Sequence, residues 1–233
     1  MTCLYLMRVG RGPTLFSPYP GRLPGRSAAY HAVKGKHPMS RITHTCPWWL
    51  TWTFDNPLRR WVQDPHTILS PYVHSGMRIA DIGCGMGYFT VALADLAGPT
   101  GRVQAVDLQP QQLSATQRRC ERAGLVDRVR LVQATPDSLK LAGPLDFILA
   151  FAMVHEVADQ AGLFRQIYGS CAPKAKVLVC EPKFHVSRAK AEAQIGLAVV
   201  QGFSGAMCED AVGWSWTYVL ERTEKESIRK PID

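Results

Sequence analysis

A short apolar strand that ends in an acid and runs into three alternating glycines constrains this chain more than any other feature. The stretch is Arg78-Ile79-Ala80-Asp81-Ile82-Gly83-Cys84-Gly85-Met86-Gly87, and Asp107 follows twenty residues after Gly87. Strand, glycine-rich turn and amphipathic helix in this order make a nucleotide-binding βα corner. Glycine takes backbone angles that a Cβ forbids, so a ligand can lie against the main chain. The helix expected from Tyr88 to Leu96 opens with unpaired N–H groups and a partial positive charge. A carboxylate or phosphate fits there.

Two acids narrow the ligand. Asp107 closes the next strand, Val103-Gln104-Ala105-Val106, where a carboxylate can accept hydrogen bonds from a ribose diol. Asp81 lies beside the same turn, where it repels a pyrophosphate and attracts an α-ammonium group. A nucleoside carrying an amino acid satisfies both, and S-adenosylmethionine (SAM) is such a compound. The competing dinucleotide fingerprint needs Gly-x-Gly-x-x-Gly, and its sixth position here is Tyr88.

On these residues the chain resembles the class I SAM-dependent methyltransferases. The match is to their first motif, here Asp81 to Gly87, and their second, here Ala105-Val106-Asp107-Leu108. It covers roughly Gly76 to Lys183, and the segment before it, from Cys46, resembles the opening of a set of uncharacterised bacterial methyltransferases. The resemblance implies SAM as cofactor, held by Asp81, Gly83, Cys84, Gly85, Gly87, Asp107, Leu108, Thr135 and Phe151. Thr135 stands where the family often carries an acid for the adenine amino group, so that contact departs from the pattern. Leu108 is placed to pack on the adenine, or else simply in the core.

The rest of the chain alternates strands with helices. Strands are expected at about Arg78–Ile82, Val103–Asp107, Arg128–Gln133, Asp146–Phe151, Lys176–Cys180 and Ser215–Glu221, with a short sixth strand somewhere in Met207–Val212 before the last. Helices are expected at about Tyr88–Leu96, Gln111–Ala123, Gln160–Cys171 and Ser187–Val200. This order reads as α/β: a three-layer, Rossmann-like, doubly wound sheet of about seven strands, mostly parallel with an antiparallel last strand. Ligands of such sheets sit at the carboxyl ends of the strands, near the switch point. The glycine turn, Asp107 and the end of the fourth strand all fall there.

Residues 1–40 read as a disordered leader rich in proline and glycine. An alternative is that Met39 is the true start. Residues 41–75 read as two short helices, opened by Asp55-Asn56-Pro57 and Asp64-Pro65, after a cluster of Trp48, Trp49 and Trp52. In the family such helices form a lid. Residues 76–233 read as the SAM-binding domain.

The net charge of +8 does not signal nucleic acid, because of where it sits. Of 27 bases, seven lie in residues 1–45 with no acid, leaving 20 against 19 acids beyond. The predicted domain is nearly neutral and lacks the basic footprint of a nucleic-acid binder. No apolar run reaches the roughly 18 residues of a membrane span. Seven scattered cysteines without a Cys-x-x-Cys fit a reduced, cytoplasmic setting.

Methyl transfer from a sulfonium asks the protein mainly for alignment in a dry site. A base is needed only when the nucleophile arrives protonated. His155, in Phe151-Ala152-Met153-Val154-His155-Glu156 after the fourth strand, is the candidate catalytic residue, because histidine titrates nearest neutrality. It can equally shape the pocket. Glu181-Pro182-Lys183-Phe184-His185 reads as a solvated loop at the same rim. The Asn/Asp-Pro-Pro-Tyr/Phe tetrapeptide of nucleobase methylating enzymes is missing, as is the paired-glutamate loop of protein arginine methyltransferases. The expected acceptor is therefore a small molecule. Two further readings stay open: a SAM-binding sensor or partner subunit without turnover, and an NAD-linked oxidoreductase.

Overall fold

The computed structural model describes residues 63–208 and 212–223. The leader, the tryptophan cluster and the first expected helix lie outside these residues. The second expected helix is present as α1 (Pro65–Leu69), with Asp64 as N-cap accepting the Thr67 N–H at 3.1 Å and proline at the first turn. It precedes β1 (Arg78–Ile82), α2 (Tyr88–Leu96), β2 (Arg102–Asp107), α3 (Pro110–Arg122), β3 (Val129–Gln133) and β4 (Leu145–Phe151). Then come α4 (Gln160–Ser170), β5 (Cys171–Pro182), α5 (Arg188–Gln201), β6 (Phe203–Met207) and β7 (Ser215–Arg222).

The strands form one seven-stranded sheet in the order β3-β2-β1-β4-β5-β7-β6. Pairs among β1 to β5 are parallel, and β7 is antiparallel to both β5 and β6. The fold is therefore the expected doubly wound α/β sheet with an antiparallel edge. Period-two alternation builds its three layers. On β4, Phe147 and Leu149 face α1 and α2 together with Ile79, Leu69 and Leu93. Ile148 and Ala150 face the opposite layer, against Phe164, Ile167 and Ile195 of α4 and α5. A sheet covered on both faces presents a ligand only its strand ends.

Two elements differ from the sequence reading. β6 lies at Phe203–Met207, not within Met207–Val212. Gly202 ends α5 in a left-handed conformation with φ 116°, which turns the chain directly into a strand. Phe203 then packs edge-on against Tyr168 with ring centroids 5.2 Å apart. β5 runs from Cys171 to Pro182, well beyond Lys176–Cys180. Pairing with neighbours extends it: Cys171 registers with Leu145, and Glu181 and Pro182 register with Trp216 and Ser215.

Candidate active site

The glycine turn is built by its contacts with β2. The N–H groups of Gly83 and Cys84 both donate to the Val106 carbonyl, at 2.8 and 3.0 Å. Gly83, Gly85 and Gly87 have φ of 70°, 54° and 78°, a region that suits glycine. Their surroundings differ. A Cβ on Gly83 would sit 2.9 Å from the Met153 Cβ, and one on Gly87 would sit 2.9 Å from Thr116 Cγ2. A Cβ on Gly85 would meet nothing within 4 Å. The outer glycines are closed by packing against β4's loop and α3; the middle one faces open space.

Asp107 is tied to that open glycine. Its Oδ2 accepts the Gly85 N–H at 3.0 Å and its Oδ1 accepts the Gln109 N–H at 2.9 Å. Burial raises its pKa, and the N–H groups of Gln109, Gly85 and Leu108 oppose that rise by favouring the charge. Each carboxylate oxygen keeps a lone pair beyond these bonds. Next to it, Leu108 is 42% exposed, unlike the surrounding core. Phe151, at the end of β4, packs on Phe89 with centroids 4.3 Å apart. Thr135 is exposed just past β3, its backbone closed on Ser138 by bonds of 2.8 and 3.1 Å. Thr135, Leu108, Asp107 and Phe151 all lie at the carboxyl end of the sheet.

Asp81 and Cys84 lie deeper. Asp81 is 2% exposed, and its Oδ2 accepts the Thr90 hydroxyl of α2 at 2.6 Å. Desolvation pushes its pKa up to about 7, with the Thr90 bond pulling down and the Asp107 charge pushing up. Cys84 is buried, its sulfur 3.8 Å from Thr116 Oγ1, and burial pushes its thiol well above the ordinary range. Such a thiol is inert packing.

The loop after β4 forms the other wall. Ala152 has φ 54°, strained for a residue with a Cβ. Its N–H donates to the Cys180 carbonyl at 2.7 Å, and Met153 then abuts Gly83. A single 3₁₀ turn, Val154–Glu156, carries His155. His155 Nδ1 lies 2.6 Å from Oε2 of Glu181, whose Oε1 accepts the Val154 N–H at 3.0 Å. Glu181 is fully buried. It is therefore not part of a solvated loop, as the sequence suggests, but the penultimate residue of β5. The signal lay in side-chain parity: Glu181 falls on the same face of β5 as Val177 and Val179, which pack beneath α4 and α5.

The residues present fit SAM. The middle glycine leaves a cradle, Asp107 offers acceptor capacity beside it, and Leu108 supplies an exposed apolar contact. Among the described residues no group of three or more His, Cys, Asp or Glu side chains is placed to hold a metal ion. No helix among them is long and apolar enough to cross a membrane.

Comparison with known proteins agrees with the fold. Residues 79–174 match the family model described as "Methyltransferase domain". An uncharacterised protein of a Synechococcus strain is 36% identical over 83 residues, which is 35% of this chain and 20% of that one. The ubiquinone/menaquinone biosynthesis C-methyltransferase of Klebsiella pneumoniae is 29% identical over 110 residues, 47% of this chain and 44% of that one. The chain thus spans less than half the length of either relative. A SAM-dependent methyltransferase of Aquifex aeolicus shares the fold with a TM-score of 0.66 at 21% identity, covering 76% of this chain and 98% of that one. Family model and sheet order together identify residues 79–174 as a methyltransferase domain with the fold of the class I SAM-dependent enzymes.

Proposed function

We propose that the chain catalyses methyl transfer from SAM to a small-molecule acceptor. The observation that carries this reading is the pinned Asp107 carboxylate beside the open face of Gly85. In this reading Gly83, Gly85 and Gly87 shape the turn, and Asp107 receives the ribose hydroxyls. Leu108 and Phe151 line the crevice, and Thr135 stands near the adenine. Asp81 supplies the negative charge for the methionine ammonium from beneath the turn. Cys84 contributes packing rather than a contact.

SAM brings an already activated methyl group on a sulfonium. The chain's own contribution is alignment and exclusion of water. Ala152 and Met153 hold the loop after β4 against the turn, so His155 stands at the same wall. The test is direct. Asp107→Ala removes a charge-assisted acceptor and should weaken SAM binding tenfold or more in calorimetry. Unchanged affinity would overturn the assignment of Asp107.

A further inference from the structure

We infer that Glu181 fixes the proton of His155 on Nδ1, so that Nε2 is the general base for an acceptor arriving as an un-ionised phenolic hydroxyl. The inference rests on the methyl-transfer reading above. It begins with the two oxygens of Glu181, which have different duties. Oε1 accepts the Val154 N–H, and Oε2 faces His155 Nδ1 at 2.6 Å. An ionised carboxylate only accepts. Nδ1 must then be the donor, and the lone pair of the ring falls on Nε2. Among the described residues Nε2 has no hydrogen-bond partner. The ring keeps 17% of its side-chain surface, whereas Glu181 keeps 1%. The carboxylate is sealed behind the imidazole, and only the imidazole reaches outward.

The neighbourhood selects the acceptor. His185 lies parallel to His155, with centroids 6.2 Å apart and planes 26° apart. Phe184, 66% exposed, packs on His185 with centroids 4.7 Å apart and planes tilted by 50°. Three rings thus step outward from the base, a wall that suits a flat aromatic molecule. Chemistry narrows it further. An imidazole assists most where the acceptor's pKa lies a few units above its own. A phenol near about 10 fits, as tyrosine shows. A neutral amine needs no deprotonation before attack, and a thiol near about 8.5 supplies much of its own anion.

The step balances within the site. The phenolic proton passes to Nε2 as the oxygen–methyl bond forms and the methyl–sulfur bond breaks. The bonding pair stays on sulfur, which becomes a neutral thioether. The imidazolium, stabilised by Glu181, returns its proton to solvent. Glu181 is a positioning residue; His155 is the group that meets the substrate.

Glu181→Gln gives an unusually specific test. The amide oxygen must take over the Val154 N–H, which turns the NH₂ toward Nδ1. Nδ1 then has to accept, and the ring proton moves to Nε2. The same logic explains a wrong tautomer when a triad acid becomes an amide. Nitrogen NMR of the histidine-labelled full chain should show Nδ1 protonated in the native protein and Nε2 protonated in Glu181→Gln. A native ring protonated on Nε2 overturns the inference, and this readout needs neither turnover nor a variant that folds.

Kinetics with SAM and a series of ring-substituted phenols completes it. At neutral pH, His155→Asn and Glu181→Gln should each lose ~10²–10³-fold in kcat on the weakly acidic phenols. The loss should be under tenfold on phenols already ionised, and should shrink as pH rises. Affinity for SAM, read by calorimetry, should not change. Equal losses across the series, or SAM binding without transfer to any phenol, would overturn the inference and leave the cofactor reading standing. Native protein that fails to bind SAM would overturn the cofactor reading itself.

Discussion

Asp81 and Asp107 are two acids forced into low-polarity surroundings, and they meet the cost differently. Asp107 accepts two backbone N–H groups, which oppose but do not cancel the rise that burial imposes on its pKa. Asp81 has a hydroxyl from Thr90, and its pKa rises to about 7. The sign of the consequence is fixed by linkage. Between the ordinary 3.8 and about 7 the folded chain holds a proton that the unfolded chain has released. Stability is complete below that window, falls as pH climbs through it, and levels off above. The full shift corresponds to a loss on the order of 4 kcal/mol. Asp81→Asn keeps an acceptor for Thr90 and carries no charge, so its stability should be nearly flat from pH 4 to 7. Urea titrations at both ends of the window check this, and parallel slopes for the two proteins would refute it. At this scale the turn at the three glycines and the place of Asp107 at the end of β2 were legible in the sequence, because backbone angles and strand ends set them. The sequence was a poor guide to Glu181, whose partner His155 lies 26 positions away and becomes adjacent only when β4 and β5 pair.

Elements inherit their limits from local chemistry where that chemistry is strong. α2 spans Tyr88–Leu96, as the sequence reading has it, because Gly87 stops any earlier start with its left-handed backbone. β6 escaped because its reason is tertiary. Phe203-Ser204-Gly205-Ala206-Met207 shows no clean alternation, yet glycine suits position 205, since a Cβ there would sit 2.7 Å from the Val219 carbonyl oxygen of β7. The first half of β5 was hidden by Pro173, which reads as a stop after the helix; in the structure the chain passes it with Lys174 at φ 61°. The glycine turn offers a sharper prediction at this scale. Gly87→Ala brings a Cβ to within 3.1 Å of three Thr116 atoms, including its Cα, at a positive φ. It should cost about 2–3 kcal/mol of stability by prising α2 from α3. Gly85→Ala meets no atom within 4 Å, so it should cost only about 1 kcal/mol of backbone strain. Its methyl would occupy the cradle, however, and SAM affinity should fall tenfold or more. Denaturation and calorimetry on the two variants separate packing from binding; the same profile for both would mean that the middle glycine is not a ligand surface.

At the scale of the whole molecule, one observable joins the fold to the ligand. The crook exists only when β1, β2, α2 and α3 are assembled, since Val106 and Asp107 of β2 and Thr116 of α3 all bond to the turn that joins β1 to α2. A ligand of this site binds the folded chain and not the unfolded one. At one hundred times its Kd such a ligand adds about 2.7 kcal/mol. For a domain of this size that corresponds to roughly 5–10 °C in Tm. SAM should produce this shift, and so should its demethylated product, which keeps the ribose for Asp107 and the ammonium for Asp81. NAD should not. Its pyrophosphate would meet the two acids at the turn, and the third glycine that admits it is replaced by Tyr88, whose hydroxyl is already bound to the Gln63 carbonyl at 2.8 Å. A thermal scan of the full chain against the three compounds therefore discriminates between the cofactors. A shift with NAD that matched or exceeded the one with SAM would show that the site seats a dinucleotide, and the roles given to Asp81 and Asp107 would have to be abandoned together.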